Sequence, residues 1–446
     1  MRPRHAFLTT LVSLAVLAGA CTAGGGEKST PTILEPSASH APVTITLWTQ
    51  FTDPEFGKLR SVLDDFEATY PWITVEATPG KQPQAVLRAM NSGTAPDVTM
   101  EPYPDDVAKY CSTGAWIDLN PYLDADHMDL TKVIPPGPRA YTSFEGNQCA
   151  LPVLADAYGL YYNTDMFEAA GISSPPKTWS EFAEDAKKLT QLNADGSIKV
   201  AGFVPLSTFY ENSNLYLGKY NGAEYYDADG ESAIASDPGW AELIQFQKGM
   251  VDEVGFPEFQ KFFAGLGGAN SEWDSSQGFE QGKVAMTFDG EWRVAFIKND
   301  KAPINYATAP FPVADGKEDL YGAGVVQGTT IGIPKGGAHE GEAWLLVKYL
   351  ATDDHAEVKL GRALRNVPTT LTALKDPVLN NDPHFKTFLD VFSQPDSGFK
   401  QNTPIASFDW NTLQTFVTKY LGGSETDLQG GLEQVAKQID DQQQIG

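Results

Sequence analysis

The chain has 446 residues, enough for two or three domain-sized cores, and at 41% hydrophobic and 11% aromatic its composition is ordinary for a globular protein. Lysine and arginine number 32 against 58 aspartates and glutamates, for a net charge of −26. Phosphate binding needs clustered cations, so this balance argues against a nucleic-acid partner; it suits a soluble exported protein and says nothing about fold.

The first twenty residues read as a targeting segment. Arg2 and Arg4 give a positive start, and Leu8 to Leu17 form an apolar run too short to span a bilayer. The run ends in Leu17-Ala18-Gly19-Ala20-Cys21. Small residues followed at once by cysteine resemble the bacterial lipoprotein box, in which the cysteine is acylated and becomes the mature N-terminus. The segment departs from that pattern in carrying Ala18 where an aliphatic residue usually stands. Plain secretion with nearby cleavage is the alternative. Residues 22–42 are rich in Gly, Ser, Thr and Pro with no apolar period, as expected of a flexible tether. Cys111 and Cys149 remain. Two cysteines in an exported chain favour a disulfide, worth roughly 3–4 kcal/mol in the chain-entropy picture, with two buried thiols as the alternative.

The folded body begins with Val43, Ile45 and Leu47 alternating with threonines, a strand ending at Trp48. Asp53-Pro54 reads as a helix start, and Phe56, Leu59, Val62, Leu63 and Phe66 fall on one face until Tyr70-Pro71. A strand at 73–77, a helix from about Pro83 to Asn91 and a strand at 95–100 complete a βαβ pattern expected of a parallel sheet. A strand over Gly159 to Tyr162 leads into a short helix stopping at Gly171. Thr178 and Glu181 form a capping box, with Trp179, Phe182, Ala186 and Leu189 as the buried stripe. A helix is expected at 239–250. In Phe279 to Trp292, F-E-Q-G-K-V-A-M-T-F-D-G-E-W, the run Val284 to Phe288 has strand length and ends at a turn carrying Asp289, Glu291 and Trp292. A strand at 330–333, an amphipathic helix at about 339–351 and mostly helical structure beyond 353 follow.

Enzyme and metal signatures are missing. Six histidines occur, none in zinc-ligand spacing, and there is no G-x-S-x-G elbow, Walker loop or G-x-G-x-x-G. No cofactor or metal is therefore expected. A glycosidase needs only two carboxylates, so it stays open as an alternative. Of nine tryptophans, Trp48, Trp72, Trp116, Trp179, Trp240 and Trp344 lie in or beside periodic segments and read as packing. Trp273, Trp292 and Trp410 lie at loops or element starts beside Asp274, Glu291 and Asp409. An aromatic face next to a carboxylate suits a sugar, whose C–H face packs on the ring while its hydroxyls donate to the acid.

The lipoprotein start, G-L-Y-Y-N-T-D-M-F…P-P-K-T-W-S-E-F, F-E-Q-G-K-V-A-M-T-F-D-G-E-W and I-G-I-P-K…A-W-L-L-V-K-Y-L together resemble extracellular solute-binding proteins of sugar ABC importers, nearest the maltose-binding group. The resemblance covers about residues 43–440. It implies an α/β fold of two lobes, the periplasmic-binding-protein type, with a hinge and an interlobe ligand cleft. The lobes are expected at 43–155 with 307–356, and at 156–306 with 357–446. Trp292 matches the stacking Trp after the G-x-W turn, Asp156 the acid before the Y-Y-N strand, and Trp410 the C-terminal stacking Trp. Gln50, Phe51 and Asp53 match the first strand–helix loop, and Tyr210 and Glu211 the central aromatic-acidic pair. Glu101 stands where maltose binders carry an aromatic, with Tyr103 close enough to substitute. Trp273, Asp289, Gly324 and Arg365 complete the candidate sugar-binding set. The implied partners are an oligosaccharide, the transmembrane subunits of an ABC permease, and the outer face of the cytoplasmic membrane through a lipid on Cys21. The resemblance implies a monomer without enzymatic activity. A secreted glycosidase and a binder of some other solute are the alternatives.

Overall fold

The computed structural model describes residues 33–36, 38–268 and 277–445. Cys21, Trp273, Asp274 and the signal segment lie outside these residues.

The strand Val43–Trp48 behaves as its alternation demands: Ile45 and Leu47 are fully buried, and Thr44 is exposed. It lies between Ile73–Thr78 and Val98–Glu101, parallel to both. The helix Glu55–Thr69 covers this sheet with Leu59, Val62, Leu63 and Phe66. Its start differs from expectation. Pro54 is the cap residue, no side chain caps the helix, and the Phe56 amide donates to the Thr52 carbonyl instead. A lost cap costs about 1 kcal/mol, whereas each fully buried large apolar side chain contributes roughly 1.5–3 kcal/mol. Packing therefore decides this helix. In Trp179–Leu189, by contrast, the capping box of Thr178 and Glu181 is formed and five residues of the helix are buried.

The sheet is mixed rather than parallel throughout. Val326–Gly332 runs antiparallel beside Val98–Glu101, and Ala150–Asn163 runs antiparallel beside Val326–Gly332. That last strand is 14 residues long, far beyond the short strand expected around Gly159. It changes partners in its middle. Up to Ala157 it pairs with Val326–Gly332; from Tyr158 onward it pairs with Met286–Gly290 on one side and, from Leu160, with Tyr306–Ala309 on the other.

Two principal cores follow from this exchange. The first gathers Ile45, Leu63, Met100, Leu151, Ile331 and Trp344, and the second Tyr158, Phe182, Trp240, Phe288, Phe311 and Val417. The long strand passes from one to the other. The expected return to the first lobe at residue 307 is displaced, because Tyr306–Ala309 is tied to the second half of the long strand and Phe311, Val313 and Val325 pack in the second core. First-core residues resume with Ile331 and run past 356 to Leu360 and Leu364. A third cluster, including Phe385, Phe388 and Leu389, packs beside the exchange point on Ala155, Ala157 and Tyr161. Cys111 and Cys149 are disulfide-bonded within a small cluster with Tyr110 and Trp116. Among the described residues no helix is long and apolar enough to cross a membrane.

Candidate ligand-binding cleft

The exchange point positions the site. Asp156 is the last residue but one of the segment paired to Val326–Gly332, opposite Gln327. The Asn366 side-chain amide donates to Asp156 Oδ1 and to Glu291 Oε1, both at 2.8 Å, and Glu291 Oε2 accepts the Ala157 amide at 2.9 Å. Burial pushes the Asp156 carboxyl up to about 7; hydrogen bonds from Asn366 and Glu291 oppose the rise, and the negative charge of Glu55 adds to it. Burial and then Asp156 hold Glu291 well above the usual carboxylate range. Two carboxyls this close cannot both ionise cheaply, so near neutrality the pair retains a proton between them.

Trp292 follows Glu291 and caps the helix Arg293–Asp300. Its indole folds back over Gly290, where an added Cβ would stand 2.1 Å from a ring carbon, so the glycine is what allows the ring to lie there. The indole N–H donates to the Tyr210 hydroxyl at 2.9 Å, and the ring meets Tyr158 edge-on at 5.5 Å. Tyr210 adopts a left-handed backbone at φ 47°. Next to it, Glu211 lies within electrostatic reach of the hydroxyls of Tyr103, Tyr158 and Tyr216. Tyr103 enters from the first lobe, and burial followed by the charges of Glu211, Asp156 and Asp105 raises its hydroxyl. Tyr103 is 45% exposed against 9% for Trp292, so it presents the larger open aromatic surface.

Of the remaining expected residues, Gln50 donates to Thr329 Oγ1 at 3.2 Å, linking the first strand–helix loop to the strand beside Asp156. Phe51 is half-buried against the first core and Asp53 is exposed. Trp410 is half-buried on the second core, and its buried indole N–H has no acceptor among the described residues. Glu101 is only 1% exposed, neither carboxylate oxygen has a partner among the described residues, and burial, with Asp106, raises it well above its ordinary range.

Three expected residues have partners inside the protein. Asp289 is fully buried and pairs with Arg293 at 2.7 Å, and Arg293 also meets Glu280 at 3.1 Å, so this carboxylate is neutralised inside the protein. Gly324 donates its amide to Ser397 and accepts the Gly398 amide, so its N–H is already used within the protein. Arg365 follows the helix Asp354–Leu364; its Nη2 stands 3.5 Å from Asp382 Oδ2, at the start of Pro383–Phe392, while its buried Nη1 has no partner among the described residues. Trp273 lies outside the described residues.

Sequence reasoning missed several groups. Gln327 donates to Tyr158 at 2.5 Å and to Tyr216 at 3.0 Å, and the two tyrosine rings stack at 4.6 Å. Glu55, in the first turn of its helix, is close enough to Asp156 to raise it. Asn366 bridges the carboxyl pair from a position with no periodic signal. Acid acceptors, amides and aromatic faces thus converge from both cores on the exchange point. That set suits an uncharged ligand with apolar faces and hydroxyl edges.

The family model described as bacterial extracellular solute-binding protein matches residues 52–357. The chain belongs to this family. It is 23% identical over 344 residues to a maltotriose-binding protein of Pyrococcus abyssi, a match covering 76% of this chain and 69% of that protein. It is 28% identical over 233 residues to a maltooligosaccharide ABC transporter solute-binding lipoprotein of Streptococcus pneumoniae, covering 51% of this chain and 49% of that one. Among solved structures, the mannotriose-bound CpMnBP1 superposes with a TM-score of 0.79 at 24% identity, covering 89% of this chain and 99% of that one. The cyclic alpha-maltosyl-1,6-maltose binding protein of Arthrobacter globiformis gives 0.72 at 19% identity, covering 91% and 100%. These superpositions establish the two-lobed fold of this solute-binding protein.

Proposed function

We propose that this solute-binding protein is the capture component of an ABC sugar importer, taking an oligosaccharide into the cleft at the strand exchange point and delivering it to a membrane permease. The observation that carries the proposal is the meeting of Tyr103 from the first lobe with Asp156, Glu211, Tyr210 and Trp292 around one point of the long strand. The sugar specificities named for its relatives point the same way. Contacts drawn from both lobes favour the closed state, and a ligand shifts that equilibrium only by its differential affinity for the two states. A dissociation constant of about 1 μM corresponds to roughly −8 kcal/mol, which two or three stacked rings and several hydrogen bonds to carboxylates can supply. No covalent step is required. Acylation of Cys21 would tether the monomer to the outer face of the membrane; the leash is shorter than the expected 22–42, because Ile33 packs on the first core, the Leu34 amide donates to the Tyr122 hydroxyl and His40 stacks on Trp72.

Titration calorimetry with mannotriose, maltotriose and related di- and trisaccharides tests the proposal. One-to-one saturable binding with the sugar recovered unchanged is expected. Glycoside turnover would make the protein an enzyme, and no heat with any saccharide would remove the sugar from the reading.

A further inference from the structure

Lys400 lies outside every group used above. Its side chain is 3% exposed, and its ammonium stands 3.0 Å from Asp105 Oδ1 and 2.9 Å from Asp409 Oδ2. The Tyr226 hydroxyl also donates to Asp409 Oδ2, at 2.6 Å. Asp105 belongs to the short 3-10 turn Pro104–Asp106, which follows the first-lobe strand Val98–Glu101. Asp409 belongs to the helix Phe408–Leu421, whose Leu413 and Val417 pack in the second core. One cation therefore joins a carboxylate from each lobe. The contact is local. Beside it, a groove of about 620 Å³ separates Leu87, Asp106 and Lys109 from Ser407, Phe408 and Asn411, so apolar packing does not hold the lobes together there.

Sequence position adds a second consequence. Asp105 comes two residues after Tyr103, and Asp409 comes immediately before Trp410. The two carboxylates that Lys400 holds thus sit at the roots of one cleft aromatic from each lobe.

We infer that Lys400 is an interlobe positioning residue, whose bridge from Asp105 to Asp409 holds the lobes closed and sets Tyr103 and Trp410 across the cleft from each other. Burial opposes the charge on Lys400, but Asp105 and Asp409 outweigh it and hold the ammonium protonated.

The inference rests on the oligosaccharide reading only for the role of the two aromatics; the bridge itself is testable without a sugar. Asp105→Asn is the informative variant, because Lys400 keeps Asp409 and the second lobe keeps its ion pair. Small-angle scattering of the sugar-free protein should give a larger radius of gyration for Asp105→Asn than for the wild type. Asp105→Glu should restore part of the difference. Mannotriose at saturation should bring variant and wild type to the same radius, with an affinity ten- to thirtyfold weaker in the variant. Equal sugar-free radii would overturn the inference, whatever the affinity does. If no saccharide binds the wild type, the functional proposal falls, and the sugar-free radii still decide whether Lys400 holds the lobes together.

Discussion

Asp289 and Glu291 stand on either side of Gly290, and the fold gives them opposite company. Asp289 is joined to Arg293, which also pairs with Glu280, all three fully buried. Glu291 is joined to a second carboxyl, Asp156, through the neutral amide of Asn366. Burial raises both acids, but Arg293 opposes the rise at Asp289, which is pushed up only to about 6, while Asp156 adds to it at Glu291. The first arrangement sets a buried cation beside the acid and over the Tyr210 ring, and it fixes the turn that carries Trp292. The second keeps a proton and leaves Asp156 partly buried at the point where the lobes meet. A carboxylate next to a candidate binding aromatic is therefore not evidence of a binding carboxylate; the presence of a buried cation decides it.

The contrast can be broken from either side. The largest effect is expected from Asp289→Ala, which takes the nearer of its two carboxylates from the buried Arg293 and should cost about 3–5 kcal/mol of stability. Urea midpoints measure it, and a loss under about 1 kcal/mol would deny the cluster its structural role. Trp292→Ala should come next, weakening mannotriose binding by about 2–3 kcal/mol, as for a buried aromatic anchor. Calorimetry checks it, and full retained affinity would move the site away from this turn. Gly290→Ala should displace the indole and cost about 1–3 kcal/mol, as overpacking does, lowering both the urea midpoint and saccharide affinity.

A pH scan sharpens the other side. A carboxyl whose folded pKa exceeds its unfolded value contributes stability at low pH and loses it as pH rises toward the folded value. For Asp156 the window runs from the ordinary value of 3.8 to about 7. The wild-type melting temperature should therefore fall across that window, and Asp156→Asn should flatten the part of the fall that belongs to the Asp156–Glu291 pair. Superimposable profiles would mean the pair carries no tuned proton. The smallest effect is expected at exposed Asp53, where alanine should change stability by no more than about 0.5 kcal/mol.

Elements with strong local signals were legible from the residues. The capping box of Thr178 and Glu181, the buried stripe of Glu55–Thr69 and the packing roles of Trp116, Trp179, Trp240 and Trp344 all depend on neighbours a few residues away. The long strand was seen only in part, because its fully buried halves lack the alternation that marks a half-buried strand. Gln327 and Asn366 carried no signal at all, since their partners lie 75 to 210 residues away for Asn366 and 169 residues away for Gln327 with Tyr158.

By itself the sequence determined the α/β class, the turn that presents Trp292 and the order of motifs that marks a solute-binding protein, because periodicity, capping and turn chemistry act over short stretches of chain. Only the tertiary structure decided which acids are neutralised and which face the cleft. That depends on whether a cation such as Arg293 or Lys400 is brought beside them, and burial makes the presence or absence of that one charge decisive.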